Sequence, residues 1–233
     1  MIVSARILST LRSTPLFAGL SDAELQAIAE RAVLKSFGPG ELLFSEGDPC
    51  SGLHVIVGGR VRIFKSSRSG REQVLAIEGS GTSIAELPVF DGGAFPASAS
   101  TIEASEILFL SRKDFRMACV ENPELALKVL QVVGGRLRRL VGIIEELSFT
   151  TLRQRLISWI LREAKARGQT RDGSTFLELG VTHQEIASQI GTVRELVSRN
   201  MARLQAQGLI ESSGHEITIL NQAALEAELT SEI

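Results

Sequence analysis

The chain has 233 residues, 44% of them hydrophobic and 22% charged, with a formal net charge of -2 at pH 7. That length fits one large or two ordinary domains, and the composition is that of a globular protein rather than a disordered one. The charge excludes a protein that is basic all over, so a nucleic-acid role would have to come from a local patch. The N-terminus MIVSARILSTLRSTP lacks the apolar run and cleavage site of a secretory signal, and no apolar stretch reaches the ~18 residues of a membrane span. A cytoplasmic protein with no membrane partner is expected. Cys50 and Cys119 lie far apart with no CxxC pattern, which excludes a disulfide framework, a four-thiolate cluster or a cysteine zinc finger. No cofactor and no metal site are expected.

Residues 1–30 read as helical: Ser21 and Glu24 have the spacing of a capping box, and Leu25, Ile28 and Ala29 share one face. From Phe37 to about Ser111 the pattern changes to short β-type runs (ELLFSEG, LHVIVGGRVRIFKS, EQVLAIEG, EILFLS) punctuated by glycine. This is the turn spacing of an antiparallel barrel or roll. Asn122-Pro123 then opens a long helix in which Ala126, Leu130, Val133, Leu137, Leu140, Ile144 and Leu147 fall at alternating steps of four and three. That unbroken register predicts a dimer coiled coil in preference to a helix packed only on its own domain, whose apolar stripe would be wider. Gly134 and Gly135 each weaken this helix by about 1 kcal/mol relative to alanine, which packing would have to offset.

After Phe149 a second block begins, with an arginine-rich amphipathic helix over 151–167 and a polar loop over 168–175. Thr182 and Glu185 form a capping box for a helix that turns Ile186, Ala187 and Ile190 inward and ends at Gly191. Thr192 and Glu195 have the spacing of a second capping box, opening a helix that runs to about Gln207 before Gly208, with Val193, Val197, Met201 and Leu204 toward the core. Two helices joined by a short glycine turn make a helix-turn-helix. The opposite face carries Arg194, Glu195, Ser198, Arg199 and Arg203. Such a face can read bases, because arginine pairs with guanine O6 and N7 and glutamate accepts from cytosine N4. The hairpin LIESSGHEITIL, with Ser213-Gly214 at its turn, has the length of a wing, and NQAALEAELT forms a last short helix. A plain helical pair with a solvated charged face is the competing reading. Capping boxes around a glycine turn, a following hairpin and an upstream dimer helix weigh against it.

Along essentially its whole length the chain resembles the CRP/FNR family of bacterial transcription regulators. The resemblance rests on PLFAGLSDAELQAIA, FGPGELLFSEGD, LHVIVGGRVRIF, IAELPVFDGG, the long helix and VTHQEIASQIGTVRELVSRNMARLQAQGLI. Arg194, Glu195, Ser198 and Arg199 satisfy the base-reading sets of that family, including its Glu-x-x-Ser-Arg version. The resemblance implies an α+β chain with a sensing β-roll over 1–120, a dimerisation helix over 121–149 and a winged helix-turn-helix over 150–233. It further implies a palindromic double-stranded DNA operator, a homodimer held by Leu130, Val133, Leu137, Leu140, Ile144 and Leu147, and RNA polymerase as a candidate partner. On such an operator Arg199 would read a guanine, Glu195 the cytosine of the complementary strand, and His183 and Arg203 would touch phosphates.

Members that bind cyclic AMP carry a Gly-Glu-Leu…Arg-Ser cassette in the roll. Here Glu86 matches the glutamate, but Pro96 and Ala97 stand where the arginine and serine hold the cyclic phosphate. The Thr-Ser pair that contacts adenine aligns with Leu140-Val141. A phosphate buried without a cation or hydroxyl would cost several kcal/mol, so an unknown effector other than cyclic AMP is expected. Glu86, Leu87, Phe95, Leu140 and Val141, with Val89 and Phe90 nearby, are its candidate pocket, apolar enough for a hydrophobic molecule. A glutamate in a roll is as readily paired with a local arginine. An iron–sulfur cluster would need N-terminal cysteines, and none precedes Cys50; a haem would need axial ligands, and His54 is the roll's only histidine. Cys50 follows Pro49 in an expected exposed turn, and Cys119 reads as a small buried hydrophobe. The competing function class is a regulatory module with a cyclic-nucleotide-binding-like domain that does not act on DNA; retention of Arg194, Glu195 and Arg199 argues against it. An enzyme is the third class, and no catalytic constellation is apparent among the scattered His54, His183 and His215.

Overall fold

The computed structural model describes residues 5–171, 174–213 and 216–230. Its contacts divide the chain into an N-terminal unit, residues 1–65 and 75–141, and a C-terminal unit, residues 142–233 with 66–74.

The N-terminal unit opens with α1 (Ala5–Ser13), a 3-10 turn over Pro15–Phe17 and α2 (Asp22–Arg31). The capping box of α2 forms as its spacing predicts: the Ser21 hydroxyl accepts from the Glu24 amide, and the Glu24 carboxylate accepts from the Ser21 amide at 2.7 Å. Strands β1 (Val33–Phe37), β2 (Leu42–Phe44), β3 (Gly52–Gly58), β4 (Arg60–Ser66), β5 (Glu72–Gly79) and β6 (Ser83–Ile84) follow. A short helix α3 (Glu86–Asp91) then interrupts the β region before β7 (Ser98–Thr101) and β8 (Ser105–Ser111). Two four-stranded sheets result, in the orders β1-β8-β3-β6 and β2-β7-β4-β5, which together make the β-roll. Strand β3 explains the unbroken apolar run LHVIV. Leu53, Val55 and Val57 join Leu108 and Leu110 in a core shared with the helices, while Ile56 joins Val61, Ile84, Ala99 and Ile107 in a separate cluster. The strand is buried on both faces, so alternation is lost from its sequence. At Gly52 an added Cβ would lie 2.2 Å from the Leu110 carbonyl oxygen, so that glycine lets β3 and β8 approach.

The helix α4 (Arg112–Glu121) ends at Asn122, and the long α5 (Pro123–Phe149) runs 27 residues straight through Gly134, Gly135 and Gly142. Leu125 and Val129 of α5 are buried in the roll's core, with Ala126 and Val133 packed partly against it. Cys50 is buried at 9% exposure, not exposed in a turn as the sequence suggested. Its thiol donates to the Gly52 carbonyl, and burial pushes its pKa up. Cys119 is buried as expected, which raises its thiol pKa to about 11. Neither thiol has the depressed pKa of a reactive cysteine.

His54, in β3, is 7% exposed, with its ring against those of Phe44, Phe95 and Phe109, and its Nδ1 has no hydrogen-bond partner. Burial, helped by the Lys35 ammonium, pushes its pKa down to about 4. The unfolded chain takes up this proton near pH 6.5, whereas the folded chain takes it up only near pH 4. The stability of the neutral form is therefore complete above pH 6.5 and is lost as pH falls from 6.5 towards 4, by about 3 kcal/mol in all. The variant His54→Leu should show a flatter dependence of urea-unfolding free energy on pH between 6.5 and 5 than the parent. Equal slopes in that window would contradict this account of His54.

The C-terminal unit begins with α6 (Leu152–Arg167), capped by Thr151 with Gln154, which buries Leu156, Ile157, Trp159 and Ile160. The segment 168–175 is not simply a loop. Gln169–Arg171 forms β9, and β10 (Ser174–Glu178) pairs with it. Gln169-Thr170-Arg171 and Ser174-Thr175 are too short and polar a sequence to read as strands in isolation. After α7 (His183–Ile190) and α8 (Arg194–Ala206), β11 (Ile210–Ser213) and β12 (Glu216–Ile219) form the hairpin and join β10 and β9 in the order β11-β12-β10-β9. Gly214 of the expected turn lies outside the described residues. The wing is thus half of a four-stranded sheet, and α9 (Gln222–Thr230) closes the unit.

Candidate nucleic-acid interface

The helix α7 starts at the capping box foreseen for it, with the Thr182 hydroxyl accepting from the Glu185 amide and the Glu185 carboxylate accepting from the Thr182 amide. Gly191 ends it at φ 72°, a left-handed conformation that costs little only for glycine. The start of α8 differs from the sequence reading. Thr192 is buried and its amide donates to the Ala187 carbonyl, so Val193, at 38% exposure, takes the cap position with no side-chain cap bond. The second capping box does not form, and Val193 faces outward rather than into the core. Beneath the pair, Ile186, Ala187, Ile190, Val197, Met201 and Leu204 are buried against Leu156, Ile157 and Trp159 of α6. Two polar anchors fix this packing: Trp159 Nε1 donates to Gln189 Oε1 at 2.8 Å, and Arg155 Nε donates to the Ile190 carbonyl at 2.9 Å. Arg155 Nη1 also donates to the Thr150 carbonyl at 2.8 Å, tying α7 to the break between α5 and α6.

On the outer side of α8, Arg194, Glu195, Arg199 and Arg203 are exposed and Ser198 is half-buried. At 3.6 residues per turn, Arg194, Ser198, Glu195 and Arg199 fall within an arc of about 140°, with Arg203 just beyond it. Among the described residues Arg194, Glu195, Arg199 and Arg203 make no ion pair or side-chain hydrogen bond, so their head groups are free. His183, the first residue of α7, is half-buried, and its Nδ1 lies 2.8 Å from Ser198 Oγ. The sequence did not suggest that pairing.

The candidate effector residues are not gathered in the same way. Glu86 is fully buried and ion-paired with Arg136 of α5, whose other nitrogen donates to the Ser83 carbonyl. The other carboxylate oxygen, Oε1, has no partner. Arg139, three residues on, holds the buried Glu78 of β5 at 2.6 Å. Neither arginine was singled out in the sequence, although Arg136 falls on the stripe that buries Val129 and Val133, where a cation requires a buried acid. Phe95 stacks on Phe44 at 3.9 Å between ring centroids, whereas Phe90 packs edge-on against Phe115, so the two rings point to different neighbours. Val89 is buried, while Leu87, Leu140 and Val141 are 47%, 38% and 56% exposed. Pro96 is exposed and Ala97 is buried, and neither offers a group to a phosphate. Ala85, at the glycine position of the family cassette, has φ 74°, the one non-glycine residue of positive φ among those described.

Along α5, Leu130, Leu137, Ile144 and Leu147 of the predicted seam are exposed by 67%, 62%, 63% and 40%. Leu127 and Val141 extend this apolar stripe, and Val133 is turned partly toward the roll. No helix among the described residues is long and apolar enough to cross a membrane.

A cyclic nucleotide-binding domain matches residues 34–122, and a Crp-like helix-turn-helix domain matches residues 154–228. The chain is 29% identical over 210 residues to a CRP-like cAMP-activated global transcriptional regulator of Mycobacterium tuberculosis, covering 90% of this chain and 94% of that one. It is 29% identical over 216 residues to the cyclic AMP receptor protein of Thermus thermophilus, covering 93% and 97%. Among solved structures, a regulator of the crp/fnr family from Eubacterium rectale superposes with a TM-score of 0.77 at 21% identity, over 94% of this chain and all of the other. That last likeness concerns the fold.

Proposed function

We propose that this chain, a CRP/FNR-family transcription regulator with a cyclic nucleotide-binding domain and a DNA-binding helix-turn-helix, joins a sensing roll to a reading head and acts as a homodimer on a palindromic operator under an effector other than cyclic AMP. The observation that carries this reading is the free polar face of α8, with Arg194, Glu195 and Arg199 exposed on a helix whose underside is buried. Three unpaired ions in one arc, on a helix held from beneath, are available to base edges and phosphates, which supports this reading over a regulatory module that does not touch DNA. The apolar stripe of α5 supports the dimer, since a face carrying Leu127, Leu130, Leu137, Val141 and Ile144 is costly to leave in water. Family members act in transcription rather than catalysis, and this chain works where the chromosome is, in the cytoplasm. RNA polymerase and a small-molecule effector are its further partners.

The two relatives are named for cyclic AMP, but this chain lacks groups for it. Pro96 and Ala97 offer nothing to a phosphate, Leu140 and Val141 donate nothing to an adenine, and Glu86 is already engaged by Arg136. A ligand at 100 times its dissociation constant stabilises the native state by about 2.7 kcal/mol. Millimolar cyclic AMP is therefore expected to leave the melting temperature unchanged, and a rise of several degrees would contradict the reading of these residues.

Selection of bound sequences from random duplex DNA tests the function itself. Two recognition helices on a two-fold dimer enter successive major grooves, so the enriched sequence should be a palindrome with half-sites about one helical turn apart. Each half-site should contain a TGA core, in which Arg199 donates to the guanine and Glu195 accepts from the opposite cytosine. Arg194 should reach an outer guanine in a TGTGA half-site and a phosphate in a TTGA half-site. Enrichment of no palindrome would overturn the proposal.

A further inference from the structure

We infer that His183 is a positioning residue for base reading: the Ser198 hydroxyl donates its hydrogen bond to Nδ1 of His183, which leaves Ser198 presenting only lone pairs to the DNA. The inference rests on the reading of α8 as the recognition helix and deepens it. Ser198 lies in the same arc as Arg194, Glu195 and Arg199, and its Oγ is 2.8 Å from His183 Nδ1. A serine hydroxyl carries one proton and two acceptor lone pairs and rotates freely, so a lone serine can donate or accept and reads little. Held against an imidazole nitrogen, it has one polarity.

Chemistry sets that polarity. A phosphate oxygen can only accept, so a neutral His183 that reaches the DNA backbone does so with Nε2–H, and its Nδ1 is then the acceptor. Among the described residues Nε2 has no protein partner, which leaves it to water or to phosphate. Nδ1 therefore draws the Ser198 proton away from the groove. Ser198 is left to accept from an exocyclic amine, N6 of adenine or N4 of cytosine, and reversing that base pair moves the amine across the groove and out of reach. One histidine thus links a backbone contact made at the start of α7 to a base preference expressed on α8.

The test uses the full-length protein and the operator obtained by selection, with single-base variants at every position. His183→Ala, Ser198→Ala and the double variant are compared, each checked for an unchanged melting curve. The parent should discriminate about five- to tenfold between the two orientations of one base pair. His183→Ala should abolish that discrimination, leave preference at all other positions intact, and in the Ser198→Ala background change no preference further, adding only the uniform loss of its phosphate contact. A His183→Ala variant that binds every sequence less well to the same degree, with the slope of log affinity against log salt reduced by about 1, is a phosphate contact alone and overturns the inference. So does a variant without effect. If His183→Ala does not fold, Ser198→Ala alone decides: unchanged preference at every position overturns the inference. Arg199→Ala in the same panel separates the two levels: if it loses preference at its own base pair while His183→Ala and Ser198→Ala leave every preference unchanged, only this inference fails, whereas a uniform effect of Arg199→Ala sinks the recognition helix and this inference with it.

Discussion

The double variant Leu137→Glu, Leu140→Glu is expected to sediment as a monomer and to bind its operator about a hundredfold or more weaker than the parent, because half of the contacts are lost with half of the dimer. Both leucines are exposed on the single chain, at 62% and 38%, and glutamate is a good helix former, so the protomer should keep its fold. Across a two-fold axis the same substitutions set four carboxylates in what would be a dry seam. Removing each from water costs several kcal/mol, and like charges add to that cost. Analytical ultracentrifugation with a far-ultraviolet spectrum checks both halves of the expectation. An intact dimer in this variant would contradict the assignment of the α5 stripe as the interface.

The second large effect is expected at Arg136. Its guanidinium is the partner of the fully buried Glu86, whose other oxygen is already unpaired. Replacing it by methionine, of similar length but without charge, leaves a buried carboxylate with no counter-ion, a loss of about 3–5 kcal/mol. The Ser83 carbonyl loses a donor at the same time. Adding Glu86→Gln to Arg136→Met removes the stranded charge and should recover most of the loss. Denaturant unfolding of parent and variants at one protein concentration measures both, so that any self-association contributes equally. A loss below about 1 kcal/mol for Arg136→Met, or no recovery in the double variant, would mean that the pair does not join α5 to the roll as its geometry indicates.

What could be read from the sequence follows from how local each signal is. The capping boxes at Ser21 and Thr182 and the glycine stop at 191 are complete within a few residues, and each forms. The box at Thr192 has the same spacing and fails, because Thr192 is drawn into the core by the turn that Gly191 makes, a tertiary effect that spacing does not carry. The segment 168–175 reads as a loop although it holds β9 and the first residues of β10, since the sheet that contains them depends on β12, some forty residues later in the chain. The α8 face was legible from periodicity alone. The pairing of His183 with Ser198 was not, because it joins two helices across a turn whose geometry the sequence leaves open. Likewise Glu86 could be singled out from its motif, while its partner Arg136 is fifty residues away, and only the register of α5 against the roll brings the two together.

The central claim is that α8 reads bases, and Arg199 carries most of that claim. The most direct measurement is competition binding of the parent and Arg199→Ala against single-base variants of the selected operator. Arg199→Ala should lose about 1–3 kcal/mol on the parent operator and show no remaining preference at the guanine it contacts, with preferences elsewhere kept. An equal loss for every operator variant would make Arg199 a backbone contact and contradict the account.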